Sequence, residues 1–149
     1  FQQYHGRVPF VKQLMDAVMK RAQDSGKIRT LLGRLCRFHL WEPNYFGIHK
    51  ALPHEQAILE HGPGIRRAYT YKALNKLIQG SAADMTKKAM IQLYKAGIIP
   101  HIQVHDELDI SVKDDKQAKQ IVEIMESAVG LEVPNKVDYE SGKNWGDIK

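Results

Sequence analysis

A single cysteine, Cys36, in 149 residues excludes an internal disulfide framework and fits a reducing compartment. Long apolar runs are missing as well. The longest cover a few residues, far short of the roughly 20 needed to span a bilayer, so no membrane partner is expected. The opening Phe1-Gln2-Gln3-Tyr4 has neither the layout of a signal peptide nor an initiator methionine. The chain is therefore expected to be a piece of something longer, or a processed or split product. Internal repeats and low-complexity tracts are absent. What is present, 43% hydrophobic and 26% charged residues, describes a soluble globular protein the size of one ordinary domain.

The net charge of +5 is unevenly spread. Residues 1–75 carry 12 basic and 5 acidic side chains, a balance of +7, whereas 76–149 carry 10 and 12, a balance of −2. A basic first half beside a second half with clustered carboxylates suits a polyanion held near a metal. A generically basic surface is the other reading.

The most pointed feature is Gln103-Val104-His105-Asp106-Glu107-Leu108. Before it Ile102 and Val104 alternate with His101 and Gln103; after it Leu108, Ile110 and Val112 alternate with Asp109 and Ser111. Period two on both sides predicts a β-hairpin with one buried face. One acid in a turn means little, because Asp serves turns for backbone reasons. Two adjacent acids after a His, with no Gly, repel one another unless water or a cation compensates. A divalent metal with oxygen ligands is the functional reading. The alternative is a solvated acidic hairpin tip, and spacing alone favours the latter.

Elsewhere the pattern is mostly helical. Pro9 can open a helix whose Val11, Leu14, Met15, Val18, Met19 and Ala22 recur at three- and four-residue steps until Ser25-Gly26. Lys27 to Phe38 reads as a short β-ribbon bending at Gly33, and its Arg29, Arg34 and Arg37 form a basic strip suited to phosphates or to a solvated edge. Residues 39–64, with three prolines, three glycines and four of the seven histidines, read as a long irregular loop with a turn or two of helix near Glu55 to Glu60. Those histidines lack compact zinc spacing and have no second cysteine beside them.

From Ile65 to about Lys76 a basic helix is expected, carrying Arg66, Arg67, Lys72 and Lys76 among Tyr69 and Tyr71. A second helix runs from near Gln79 to Ala96 and stops at Gly97. Its small residues Gly80, Ser81, Ala82 and Ala83 permit close approach of another backbone or a ligand, and close helix packing on a sheet explains them equally well. After the hairpin, Asp114 or Asp115 can cap a helix ending at Gly130. Val137 to Glu140 reads as a final strand and Asn144-Trp145-Gly146 as a closing anchor. Helices packed on an antiparallel sheet make the class α+β.

Asn75-Lys76-Leu77-Ile78-Gln79-Gly80-Ser81-Ala82-Ala83-Asp84, followed one helix later by Gln103-Val104-His105-Asp106-Glu107-Leu108, resembles the C-terminal palm of family A DNA polymerases, relatives of bacterial DNA polymerase I. Thr30-Leu31-Leu32-Gly33-Arg34 is similar to the ribbon that follows the fingers, and Asn144-Trp145-Gly146 to the family's C-terminus. Tyr71-Lys72-Ala73-Leu74-Asn75 is closer to phage-type members, which would make the host cytoplasm the setting. The resemblance implies an antiparallel palm sheet with a catalytic β-hairpin packed against helices. It divides the chain into the end of the fingers region and basic ribbon (1–38), an insertion-like loop (39–64) and the palm subdomain (65–149).

By the same resemblance Asp106 is the catalytic metal-binding aspartate, Glu107 a supporting carboxylate, and His105 lies near the primer terminus. Asn75 and Gln79 match residues that probe the DNA minor groove, where base acceptors are similar for every pair. Lys72 stands where many members have Arg, keeping charge without the planar fork. Arg29, Arg34 and Arg37 would meet backbone phosphates. The implied cofactor is Mg²⁺, two ions shared with an aspartate on an upstream segment. The implied partners are primer-template DNA, deoxynucleoside triphosphates, and the upstream segment or subunit that carries that aspartate and a nucleotide-gripping helix. Two other classes stay open at this point: a non-catalytic DNA-binding module, and a metal-dependent nuclease drawing on Asp84, Asp109 and Glu140.

Overall fold

The computed structural model describes residues 8–148. The chain falls into two compact units, Phe1–Ser81 and Ala82–Lys149. Strands pair only antiparallel, in three small sheets among the described residues, and the class is α+β as expected. No helix among them is long and apolar enough to cross a membrane.

The first unit opens with helix α1 (Pro9–Ser25), with Pro9 in its first turn, where the missing N–H costs nothing. Gly26 ends it at φ 68°, a left-handed cap, and donates its N–H to Ala22 O at 3.0 Å. The stripe foreseen for this helix is inward at Val18, Met19 and Ala22, whereas Leu14 is exposed. Strands β1 (Lys27–Arg29) and β2 (Leu35–Arg37) form the predicted ribbon, paired Lys27↔Arg37, Ile28↔Cys36 and Arg29↔Leu35. Their turn closes where Gly33, at φ 88°, donates to Thr30 O. Ala22, Ile28, Phe38 and Ala73 are the buried centre of this unit. The hydrophobic effect therefore ties helix, ribbon and the start of the next long helix together.

Residues 39–64 are more regular than the loop expected from their prolines and glycines. Strands β3 (Leu40–Pro43) and β4 (Leu52–Pro53) and helix α2 (His54–His61) lie within them. Strand β5 (Ile65–Arg67) completes a sheet of order β4-β3-β5. Its presence corrects the basic helix predicted from Ile65. Residues 65–67 pair with β3, and Tyr69 sits at φ 62°, a left-handed conformation that no α-helix tolerates. In this register Glu42 lies opposite Arg66, whose Nε donates to Glu42 Oε1 at 3.0 Å, a cross-strand ion pair.

A 3-10 turn (Thr70–Lys72) leads into α3 (Ala73–Lys95), one continuous helix where two were expected. Gly80 lies inside it because a side chain would not fit: a Cβ there would stand 2.8 Å from Thr30 Cγ2. Beside it Leu31 donates its N–H to Ser81 Oγ at 3.0 Å, and that hydroxyl donates to Leu77 O at 2.7 Å. Gly80 and Ser81 are thus small because the ribbon turn rests on them, whereas Ala82 and Ala83 are exposed.

In the second unit, Gly97 (φ 75°) stops α3, and Ile98 donates its N–H back to Leu93 O. Strands β6 (Ile102–Val104) and β7 (Glu107–Asp109) form the predicted hairpin. Helix α4 (Asp115–Ser127) starts where Asp114 accepts from Gln117 N at 2.8 Å, and it ends three residues before the predicted Gly130. Leu93, Ile98 and Ile121 form the core, with Leu108, Ile110, Ile124 and Met125 against it. One face of the hairpin is therefore packed, but Ile102 and Val112 are exposed. The final strand expected at Val137–Glu140 does not form; Val137 donates its N–H to Glu126 Oε1 instead of a ladder partner. Trp145, foreseen as an anchor, opens a 3-10 turn (Trp145–Asp147) and is 61% exposed.

Candidate active site

The hairpin register puts His105 and Asp106 at the two central turn positions, between the pair Val104↔Glu107. Such two-residue loops want a left-handed residue, usually Asn or Gly. Here His105 takes it, at φ 54°. Gln103 helps hold that conformation by donating Nε2 to His105 O at 2.8 Å. At the hairpin's far end His101 donates its N–H to Asp109 O, and its Nε2 lies 3.0 Å from Ser111 Oγ. A non-glycine residue in this region costs about 1 kcal/mol, the kind of strain that collects at functional turns. Sequence reading gave Gln103 no role; its polar side chain two residues before an unusual turn residue was the available signal.

Asp106 and Glu107 are exposed, and both border a cavity of about 1100 Å³ within the second unit. Its walls are α3 at Ala82 and Met85, the hairpin, α4 at Ile121, and the C-terminal stretch around Tyr139. No local signal in the sequence announces that this stretch lines the same space as the acidic turn. Adjacent carboxylates offer hard oxygen donors, which suit Mg²⁺. Among the described residues no third His, Cys, Asp or Glu joins them as a metal-holding group. The pair thus fits part of a magnesium site and needs oxygen donors from elsewhere.

In the first unit Lys72, Asn75 and Gln79 succeed one another at three- and four-residue steps into α3, and all three are exposed. Among the described residues neither amide side chain makes a hydrogen bond, so neither caps the helix start. Lys72 Nζ lies 5.3 Å from the Tyr69 ring centre and 5.5 Å from that of Tyr71, a cation held between two aromatic faces. Of the three ribbon arginines, Arg29 donates Nη1 to Gly33 O at 2.8 Å, and Arg34 donates Nη2 to Gly80 O at 2.8 Å. Both brace the turn. Arg37 is exposed at the ribbon's end.

Arg67, which the sequence placed in a basic helix, is used internally. Its Nε donates to Gln23 O at 3.1 Å, its Nη1 to Phe38 O at 3.0 Å, and its guanidinium lies 4.5 Å from the Trp41 ring centre.

The model of DNA polymerase family A matches residues 1–147. This chain belongs to DNA polymerase family A. Within the family it is similar to a DNA-directed DNA polymerase of Pseudomonas phage M6, 41% identical over 140 residues, 94% of this chain and 18% of that protein. The DNA polymerase I of Geobacillus stearothermophilus is 35% identical over 159 residues, covering 99% of this chain and 16% of its own length. Among solved structures, the POL domain of Pol1 from M. smegmatis, in complex with DNA primer-template and dNTP, superposes with a TM-score of 0.71 at 29% identity, covering 99% of this chain and 24% of that one. The chain thus spans less than a fifth of the length of the phage and Geobacillus polymerases it matches.

Proposed function

We propose that this chain is the C-terminal palm part of a template-directed DNA polymerase that adds deoxynucleotides to a primer 3′ end. The observation that carries the reading is the turn His105-Asp106-Glu107, in a family A chain, held in a left-handed conformation with both carboxylates bordering a large cavity. Asp106 is the principal ligand and Glu107 the supporting one for Mg²⁺. Asp106 and Glu107 would help hold Mg²⁺, which would supply Lewis-acid activation of a primer hydroxyl and charge neutralisation at the departing pyrophosphate. The remaining oxygen donors come from an upstream segment, which also supplies the nucleotide-gripping helix. His105 lies toward the primer terminus. Lys72, Asn75 and Gln79 offer a charge and two amides, unpaired among the described residues, to the duplex. A nuclease acting through this chain alone would need a third acidic ligand near Asp106, and no such group forms among the described residues.

Primer extension by the intact protein tests the reading, and two classes of variant separate binding from selection. Arg37→Gln should weaken duplex binding similarly for every sequence and lower the slope of log affinity against log salt by about 0.9, the value for one phosphate contact. Gln79→Ala should leave that slope unchanged, yet slow extension and narrow the ratio of rates between matched and mismatched primer ends. An unchanged ratio, with both primers slowed alike, would remove Gln79 from pair sensing.

A further inference from the structure

The β3–β4 connection projects two fully exposed apolar side chains, Phe46 and Ile48, from a base that is fixed. At that base Asn44 donates its N–H to Gly64 O at 2.9 Å. Tyr45 packs edge-on to His49 with ring centres 4.8 Å apart, and His49 lies 6.1 Å from His61 on α2. Gly47 takes φ 153° and admits the His49 ring, since a Cβ there would stand 2.6 Å from Nε2. The tip is therefore a shaped protrusion, with a conformation that requires glycine between its two apolar residues. Along the chain from Pro43 to His54 there is no Asp or Glu, and Lys50 supplies a positive charge two residues after Ile48.

Solvated apolar side chains on a stretch that has a lysine and no carboxylate match one ligand chemistry well, a polyanion with exposed flat faces. Bases stack on aromatic rings without regard to sequence, and nearby cations hold the phosphates. We infer that Phe46, with Ile48 beside it, stacks on an unpaired base of single-stranded DNA, and that Lys50 holds the adjoining phosphate. The inference rests on the polymerase reading and adds to it a contact outside the duplex, to the template overhang.

The test compares the intact protein with its Phe46→Ala and Lys50→Gln variants. Binding is measured by fluorescence anisotropy to two probes, a blunt duplex and the same duplex with an unpaired 5′ overhang. Phe46→Ala should lower affinity for the overhang probe about tenfold, as for loss of one stacked base, and leave the blunt duplex within about twofold. Lys50→Gln should lower the salt slope on the overhang by about 0.7, the single-strand value. Equal affinity of wild type and Phe46→Ala for the overhang would overturn the inference while leaving the polymerase reading intact. So would a lowered melting temperature without loss of overhang binding, which would mean that the tip packs against protein. Binding of the wild type to anionic phospholipid vesicles that is lost in Phe46→Ala, with DNA binding unaffected, would overturn it too. Failure of the wild type to bind either DNA would overturn both readings.

Discussion

Replacing Asp106 by Ala in the intact polymerase should lower the single-turnover rate of nucleotide incorporation by about 10³-fold or more, the scale on which a transition-state charge stabiliser is lost. Primer-template affinity should change little. Asp106 is exposed at a two-residue turn, and among the described residues its side chain makes no hydrogen bond, so the fold does not depend on it. The lost interaction is made chiefly with metal and transition state, which lowers rate and spares binding. Glu107→Ala should cost less, about 10- to 100-fold, as for a group that supports a principal ligand. An Asp106→Ala protein that extends primers at wild-type rate would place the chemistry elsewhere.

Arg67→Ala should produce the largest loss of stability of any single basic-to-alanine change in the first unit. One guanidinium joins the end of α1 through Gln23 O, the end of β2 through Phe38 O, and the face of Trp41 on β3. Hydrogen bonds to a charged group contribute about 1.5–3 kcal/mol each, so a total near 3 kcal/mol is expected after partial rehydration. Urea unfolding of wild type, Arg67→Ala and Arg67→Lys measures it. Lysine should recover only a small part, since its single ammonium cannot reproduce the planar fork. Unchanged stability with weakened DNA binding would make Arg67 a DNA contact instead of an internal brace.

The contrast between Arg67 and Asp106 shows which parts of this chain were legible. Asp106 lies in a hairpin of local signals: alternating residues on both sides and a two-residue turn. The first helix, with Pro9 at its start and Gly26 at its end, and the helix capped by Asp114 are local in the same sense. Strands β3 and β5 are not, because each is three or four residues long and they pair with one another across more than twenty positions. Arg66, Arg67, Tyr69 and Tyr71 therefore read as part of a helix, whereas the left-handed Tyr69 separates strand from helix. Gly80 lies within the continuous helix although glycine costs about 1 kcal/mol there. The contact with Thr30 that makes glycine necessary there comes from fifty residues away. Among site residues, Lys72, Asn75 and Gln79 follow one another into α3, whereas Arg29 and Arg34 also donate to Gly33 O and Gly80 O, contacts that no local pattern announces.

The central claim is that Asp106 and Glu107 form one part of a polymerase metal site whose other donors lie on an upstream segment. Magnesium-dependent extension of a primer by the 149-residue chain, alone and with that segment added, tests it most directly. The account predicts no extension by the chain alone, extension when the segment is added, and none again when the added segment lacks its aspartate. Steady incorporation by the purified chain alone would contradict it.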